Sequence, residues 1–550
     1  MAFRCRNCGG NVVFDIDTQM LKCQHCDSSF PAEEYQVRDY SSGSAGLGLT
    51  RFSCGGCGAE LEGTEDSVVG FCPYCGGQSM LRIGSRPREA AEYVLPFQVS
   101  RARCAELYRE NAKKVLYLPR ELRDPEYLER FTGIYMPYYS YDVQIGQPDI
   151  QGTKTVEHHH RYDVVNTYQI DAQVLGGVCS VPFDASRYLD DEIAARAMPF
   201  DTRQQRRFHP AYLSGFYADA STVPANTYFE EAEAQASKDV VEEVAEQILA
   251  QEQIQVDTRK ASVEARTLGY RSALLPMWFL TWRKGERVAY AVVNGESGKV
   301  VSDLPVDMRA FALGCAAAAV LVFALLELLV QPTPLLTSTV SLIAGALMMS
   351  YVSGGTRRIF EKETHANDKG WSAGAKQAGN RAAQDDPRKT RPAARGEQAK
   401  VRGGQDDPEK QADGKGKKSF RLPELKIHPA LVVFLGIFAV YMILPGITAS
   451  LPQLIAVAAP VYVILELMRV LRWQQSIPER QPGVAAVLLC AAVLLNAVVV
   501  FVSPVEDLWY YLGDALCILL LLVASVGMMQ VYNLGTMRPL PKLFDRSEVS

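Results

Sequence analysis

"CRNCGGNVVFDIDTQMLKCQHC", Cys5 to Cys26, sets two Cys-x-x-Cys pairs fourteen residues apart, and the residues between them read as a strand, a turn and a strand. "CGGCGAELEGTEDSVVGFCPYC", Cys54 to Cys75, repeats the spacing, so the first part of the chain is an internal duplication. Each pair brings two sulfurs onto one tight knuckle, and Gly9 and Gly58, just after the second cysteine, let the backbone turn. Two knuckles together form a closed four-sulfur site suited to structural zinc. The metal set is therefore Cys5, Cys8, Cys23 and Cys26 at one site, and Cys54, Cys57, Cys72 and Cys75 at the other.

Competing chemistries fare less well. A thioredoxin-like redox pair needs its cysteines to open a helix, which neither ribbon offers, whereas iron stays open because sulfur spacing alone does not choose the metal. Four thiolates fill the shell, so these centres hold structure and carry out no hydrolysis. His25, inside a knuckle that already has its cysteines, reads as a bystander.

The rest of the chain divides by composition. With 550 residues it exceeds one domain, and most of its apolar excess follows Leu304. The expected organisation is zinc ribbon 1 over 1–39, a Gly/Ser-rich flexible linker over 40–50 that lets the ribbons move independently, and zinc ribbon 2 over 51–84. A cytosolic α+β domain with an antiparallel sheet follows over 91–305, containing a helix opened by a Thr227/Glu230 capping box and hairpin turns at Lys284-Gly285 and Asn294-Gly295. Beyond it come a transmembrane hairpin (308–353), a basic disordered loop (354–428), a four-span region (429–535) and a cytosolic tail (536–550). Six apolar runs, near 310–330, 335–352, 430–449, 451–467, 484–502 and 508–532, reach the length of a membrane span. The overall fold class is thus a multidomain membrane protein with two ribbons, an α+β domain and six transmembrane helices.

Charge orients it. The loops on one side carry no Lys or Arg and those on the other are basic, which predicts a multi-pass protein of the bacterial inner membrane with both termini cytoplasmic. The start of the chain lacks the apolar core of a signal peptide, consistent with that orientation. The chain's net charge is −5, and residues 1–90 carry eight Lys and Arg against eleven Asp and Glu. Such ribbons lack the basic face that nucleic acid requires, which leaves a protein partner on the cytosolic side and membrane lipid as expected partners.

No catalytic constellation appears, and the expectation is a non-enzymatic protein. "EHHHR", Glu157 to Arg161, puts His158 and His160 on one strand face without a companion carboxylate motif, and His209 precedes Pro210 at a turn. Among Glu327, Glu466 and Asp514, the acids within the apolar runs, each lies near enough an end to reach an interface. Asp514 is the best pointer to the alternative of a transporter or channel component.

The stretches "GIYMPYYSYDV" (Gly133–Val143), "VPFDAS" (Val181–Ser186), "MPFD" (Met198–Asp201), "HPAYLSGFYAD" (His209–Asp219) and "VVNGESGKVVSDLP" (Val292–Pro305) stand behind the "CRNCGG" and "CPYCGG" knuckles. Together they resemble a bacterial family of membrane-anchored, transcription factor IIB-type zinc-ribbon proteins of unknown function. The resemblance covers about the first 330 residues. Members are sometimes labelled primosomal helicases, yet neither "GESGKVV" nor "DGKGKKS" has the glycine and hydroxyl spacing of a phosphate-binding loop, so helicase activity is disfavoured here.

Overall fold

The computed structural model describes residues 3–35, 49–64, 71–78, 80–85, 91–158, 163–171, 178–252, 254–256, 258, 261–329, 334–384, 451–502 and 504–540. Two compact units emerge: a head unit of Met1–Leu325, Arg357–Ala378 and Met529–Ser550, and a helical unit of Leu326–Thr356 and Gly379–Met528.

The head begins with the first ribbon, β1 (Val12–Asp15), β2 (Met20–Cys23) and β3 (Ser29–Phe30), a small antiparallel sheet. The second ribbon, β4 (Thr50–Cys54), β5 (Glu60–Gly63) and β6 (Met80–Ser85), belongs to something larger. After β7 (Tyr93–Val94) and β8 (Thr132–Ile145) come β9 (Asp149–His158), β10 (Asp163–Asp171), β11 (Val178–Asp184), β12 (Arg206–Arg207) and β13 (Tyr217–Asp219). The last head strands are β14 (Gln255–Val256), β15 (Ala265–Lys284), β16 (Arg287–Asn294), β17 (Val300–Ser302) and β18 (Arg538–Pro539). Twelve of these form one sheet, whose main path runs β12-β7-β15-β8-β13-β5-β4-β6. The ribbon joins it where Ala218 and Asp219 pair with Glu62 and Leu61.

The apolar run Leu274–Trp282 lies at the centre of this sheet. Leu274, Trp278, Leu280 and Trp282 of β15 face one core, while Ala273, Leu275, Met277 and Phe279 face another, as the two-residue period of a strand requires. Burial on both faces explains why the run shows no polar alternation. The first core takes in Val12, Phe14 and Leu21 of the first ribbon.

Both ribbons are therefore fixed to the same head, which corrects the expectation of independent movement; residues 36–48, which include most of the linker, lie outside the described residues. The first ribbon is held by Phe14 N–H donating to Ser214 O (2.9 Å), by the Ser214 hydroxyl donating to Val12 O (2.5 Å), and by the Gln19 amide donating to Phe97 O (2.7 Å). Gly215 makes this approach possible: its φ is +91°, and a Cβ there would overlap Val13 Cγ1. Gly215→Ala should destabilise the docked ribbon by about 1–3 kcal/mol. Hydrogen exchange at the Phe14 amide reads this directly, and unchanged protection would refute it.

Several local expectations change. α4 runs from Phe229 to Glu252, after α1 (Arg101–Lys113), α2 (Pro125–Leu128) and α3 (Asp191–Ala197), so Thr227 lies before its cap position and the predicted capping box does not form; the Thr227 hydroxyl donates to Pro224 O (2.7 Å). The 284–287 hairpin does form, with Gly285 at φ +61°. Residues 354–364 and 369–384, expected in a disordered loop, are helical: α5 (Met308–Leu329) precedes α6 (Pro334–Thr364), and α7 spans Lys369–Gln384. The remainder of that loop, 385–428, lies outside the described residues. Within the head, α7 is capped by Asp368, whose carboxylate accepts from Trp371 N–H (2.7 Å), and the Arg187 guanidinium sits 5.5 Å from the Trp371 ring centroid.

Six membrane helices reduce to four among the described residues: Thr337–Lys376, Pro452–Gln474, Gln481–Val502 and Leu508–Thr536 are long and apolar enough to cross a bilayer. α5 covers the first expected span with an apolar stretch at Met308–Ala317, while the side chains of much of its remainder and the expected span at 430–449 lie outside the described residues. In the helical unit, α8 (Leu451–Gln474) and α9 (Gln481–Val502) form a hairpin whose turn is held by Gln474, which accepts from Gly483 N–H (2.9 Å). The last helix, α10, is Asp507–Thr536. Gly345 lies against Val493 where a Cβ would overlap its side chain, the small-residue contact that lets apolar helices approach closely.

Candidate metal centres

Four knuckles share one backbone design. The N–H of the first cysteine donates to the carbonyl five residues on, and the N–H four residues on donates back: Cys5 to Gly10 and Gly9 to Cys5, Cys54 to Ala59 and Gly58 to Cys54, Cys72 to Gly77 and Gly76 to Cys72, all 2.7–2.9 Å. Cys23 and Asp27 follow the same pattern at 2.9 and 3.1 Å. The residue that closes each turn has positive φ: Gly9 +73°, Asp27 +56°, Gly58 +76° and Gly76 +68°. Glycine fits that conformation without strain, and aspartate is among the few side chains that tolerate it. Sequence reading caught two of these four and missed Gly76 and Asp27, although both occupy the equivalent position in the repeat.

These turns aim the sulfurs inward. In each quartet all four sulfur atoms lie within 4.8 Å of one another. Cys5–Cys26 and Cys8–Cys23 are 3.5 Å apart, Cys54–Cys75 3.5 Å and Cys57–Cys72 3.7 Å. A tetrahedral centre with metal–sulfur bonds of about 2.3 Å places its sulfurs about 3.8 Å apart, so both quartets have the dimensions of a four-sulfur metal site. Backbone N–H groups of Asn7, Gly10, His25 and Gly77 point at Cys5, Cys8, Cys23 and Cys75 sulfurs at 3.4–3.5 Å, donors suited to stabilising thiolate charge. The Ser28 hydroxyl and backbone pull the Cys26 thiol down to about 6. Cys72 is pushed the other way, chiefly by the thiols of Cys54, Cys57 and Cys75 beside it, because four adjacent sulfurs cannot all carry charge without a cation among them. His25 is exposed and outside the quartet, which fits the bystander reading.

The two centres differ in setting. Cys8 and Cys26 are exposed, whereas all four cysteines of the second quartet are buried. Tyr74, between Cys72 and Cys75, is buried in the head; its hydroxyl donates to Asp219 (2.6 Å) and its carbonyl accepts from the Tyr290 hydroxyl (2.5 Å). An aromatic side chain within "CPYC" was the sequence signal for this embedding, since it needs a core to enter. Next to the same knuckle is a cavity of about 250 Å³ whose lining includes Phe71, Cys72, Tyr127, Arg130, Thr281 and Trp282. The Arg130 guanidinium lies 4.9 Å from the Phe71 ring centroid and 4.7 Å from that of Tyr127, and among the described residues it forms no ion pair. Glu121, also in the lining, accepts from the Trp282 indole N–H (2.9 Å).

Elsewhere in the head, Asp191 accepts from the Tyr228 hydroxyl and from Lys369 N–H, each at 2.9 Å. Burial, reinforced by nearby Asp368, raises its carboxyl from 3.8 to about 6. Asp184 is raised as well, by burial and by Asp191. For Asp191 the folded state holds a proton more tightly than the unfolded state, so its contribution is fully favourable below pH 3.8 and is lost as pH rises through 6. Denaturant unfolding of wild type against Asp191→Asn should show the wild type gaining about 1–3 kcal/mol relative to the variant between pH 7 and 4. Parallel pH profiles would contradict this assignment. His209 accepts from Ala211 N–H through Nδ1 (3.2 Å), a turn-capping contact. His158 ends β9, and His159 and His160 lie outside the described residues.

In the helical unit, two acids expected to reach an interface are buried. Asp514 is 7% exposed and accepts from the hydroxyls of Thr337 (2.6 Å) and Ser338 (2.9 Å). Glu466 is 4% exposed, accepts from the Ser353 hydroxyl (2.5 Å) and pairs with Arg469. The sequence placed them near helix ends but could not show which neighbouring helix covers them.

No protein-family model matches the chain, and no solved structure matches it. A curated relative, the uncharacterized protein YdjG of Bacillus subtilis (strain 168), is 24% identical over 317 residues, 56% of this chain and 91% of its own length. The chain is thus similar to a bacterial protein whose printed name assigns it no activity.

Proposed function

We propose that this is a non-enzymatic, zinc-binding integral membrane protein whose head docks a protein partner. Zinc suits the two quartets because a d¹⁰ ion accepts four thiolates tetrahedrally with no redox chemistry, and a reducing cytosol keeps such thiols available. The basic loops support a bacterial inner-membrane setting with both termini cytoplasmic. Nucleic acid is not the partner in this reading. The basic side chains of the first ribbon are engaged locally, Arg6 over the Tyr35 ring (5.0 Å from its centroid), Lys22 with Asp27 (3.4 Å) and Arg4 with Asn11.

The observation that carries docking is the cavity beside the second ribbon. Aromatic walls and the Arg130 guanidinium, which packs on two rings and has no ion pair among the described residues, suit an acidic side chain presented by a partner protein. A photo-crosslinking residue at Thr132, on the cavity lining, should trap a protein in native membranes, and adding Arg130→Glu should cut that trapping at least about tenfold, a difference of about 1.4 kcal/mol. Equal trapping with Glu at position 130 would sink the docking reading.

A further inference from the structure

Three helices of the helical unit bring polar atoms to one point inside otherwise apolar surroundings. Asp514 of α10 stands seven residues after Asp507, about 10 Å along the helix from its start. Thr337 and Ser338, in the first turn and a half of α6, donate their hydroxyls to separate oxygens of its carboxylate. Asn496 of α9 donates its amide to the Ser338 carbonyl oxygen (3.0 Å), which holds that side chain against the same turn. Asn496 is 0% exposed, and its Oδ1 has no hydrogen-bond partner among the described residues. A buried amide oxygen left unbonded, on a side chain joined through Ser338 to a buried carboxylate, is a costly arrangement that a cation would relieve.

We infer that Asp514, Thr337, Ser338 and Asn496 form a binding site for one small monovalent cation, sodium or a proton. The charge count decides the valence. One carboxylate is matched by one positive charge, whereas a divalent ion would leave a net charge buried among apolar helices. The donor set is all oxygen: two from Asp514, one hydroxyl each from Thr337 and Ser338, and the amide oxygen of Asn496. Hard oxygen donors of this kind suit an alkali ion. A proton on Asp514 neutralises the same site, with the carboxylic acid returning a hydrogen bond to one of the hydroxyls. This site is independent of the docking reading, because none of its residues belongs to the head.

Full-length protein in nanodiscs allows both occupants to be tested. Thermal midpoints are followed at pH 8 as sodium chloride replaces choline chloride at constant ionic strength, and then from pH 5 to 9 without sodium. If sodium is the occupant, the wild-type midpoint rises saturably with sodium. If the proton is the occupant, the midpoint falls as pH increases and sodium has no effect. In either case Asp514→Asn, neutral at every pH, loses the response. Thr337→Val, of nearly equal shape, should raise the half-effective sodium concentration about tenfold, or shift the pH midpoint, while two metal ions per chain confirm an intact head. Identical sodium and pH responses in wild type and Asp514→Asn overturn the site. Should Asp514→Asn fail to fold, Thr337→Val decides, and responses equal to wild type there overturn it equally.

Discussion

Cys72→Ser should remove one of two metal ions per chain and unfold the head, not only the second ribbon. The reason is the sheet: β4, β5 and β6 are held in register by that quartet, and β5 continues through β13 into β8 at the centre of the domain. Metal binding to four-thiolate sites supplies about 10–16 kcal/mol at neutral pH, as much as or more than the roughly 5–15 kcal/mol that keeps a domain folded. Cys26→Ser offers the internal comparison. Its sulfur is exposed, and the first ribbon forms its own three-stranded sheet, so its loss should release that ribbon while the twelve-stranded sheet keeps its hydrogen-exchange protection. Metal content by elemental analysis, with exchange at the β8 amides, separates the two outcomes. The embedded-ribbon account fails if Cys72→Ser leaves β8 as protected as in wild type. Elemental analysis also tests the metal: zinc gives a colourless protein, whereas iron with four sulfurs would be visibly coloured.

The second large effect is expected at Glu363. Its carboxylate pairs with Arg287, and the two side chains are only 12% and 7% exposed. Arg287 also donates to the carbonyl oxygens of Leu534 (3.2 Å) and Met537 (3.4 Å), beside the point where β18 joins β16. Glu363→Ala removes the counter-charge that this contact gives a buried guanidinium among the described residues, a change that costs about 3–5 kcal/mol. Replacing both partners, Arg287→Met with Glu363→Leu, should recover most of that loss because no charge is then left buried. Denaturant midpoints for the two single variants and the double variant form the cycle. A loss below about 1 kcal/mol for Glu363→Ala would mean that water reaches the pair.

Where the chemistry is local, the sequence was sufficient. Four Cys-x-x-Cys pairs at matched spacing name all eight sulfurs of the two quartets, because a knuckle is built from neighbouring residues. Long apolar runs likewise marked each of the four stretches that the structure offers as membrane spans, since hydropathy over about twenty residues needs no tertiary information. The Lys284-Gly285 hairpin was legible for the same reason. Failures occurred where a distant partner decides. Helix α7 looked disordered from its Gly, Ala, Gln and Lys content, yet Asp191 and Arg187, almost two hundred residues away, receive its first turn. Thr227 matched a capping box, but the helix starts at Phe229, and Thr227 belongs to the turn before it, where its hydroxyl donates to Pro224 O.

From sequence alone, then, this protein has two four-cysteine ribbons, an antiparallel-rich domain and apolar segments of membrane-spanning length, because spacing and hydropathy act over short stretches of chain. Tertiary structure decided that the second ribbon is part of the domain's sheet, and that Arg130 packs on the Phe71 ring beside it. It also decided that Asp514 is covered by Thr337 and Ser338. Each of these depends on strands, rings or helices far apart in the chain, whose pairing follows from burying whole faces together and leaves no local pattern to read.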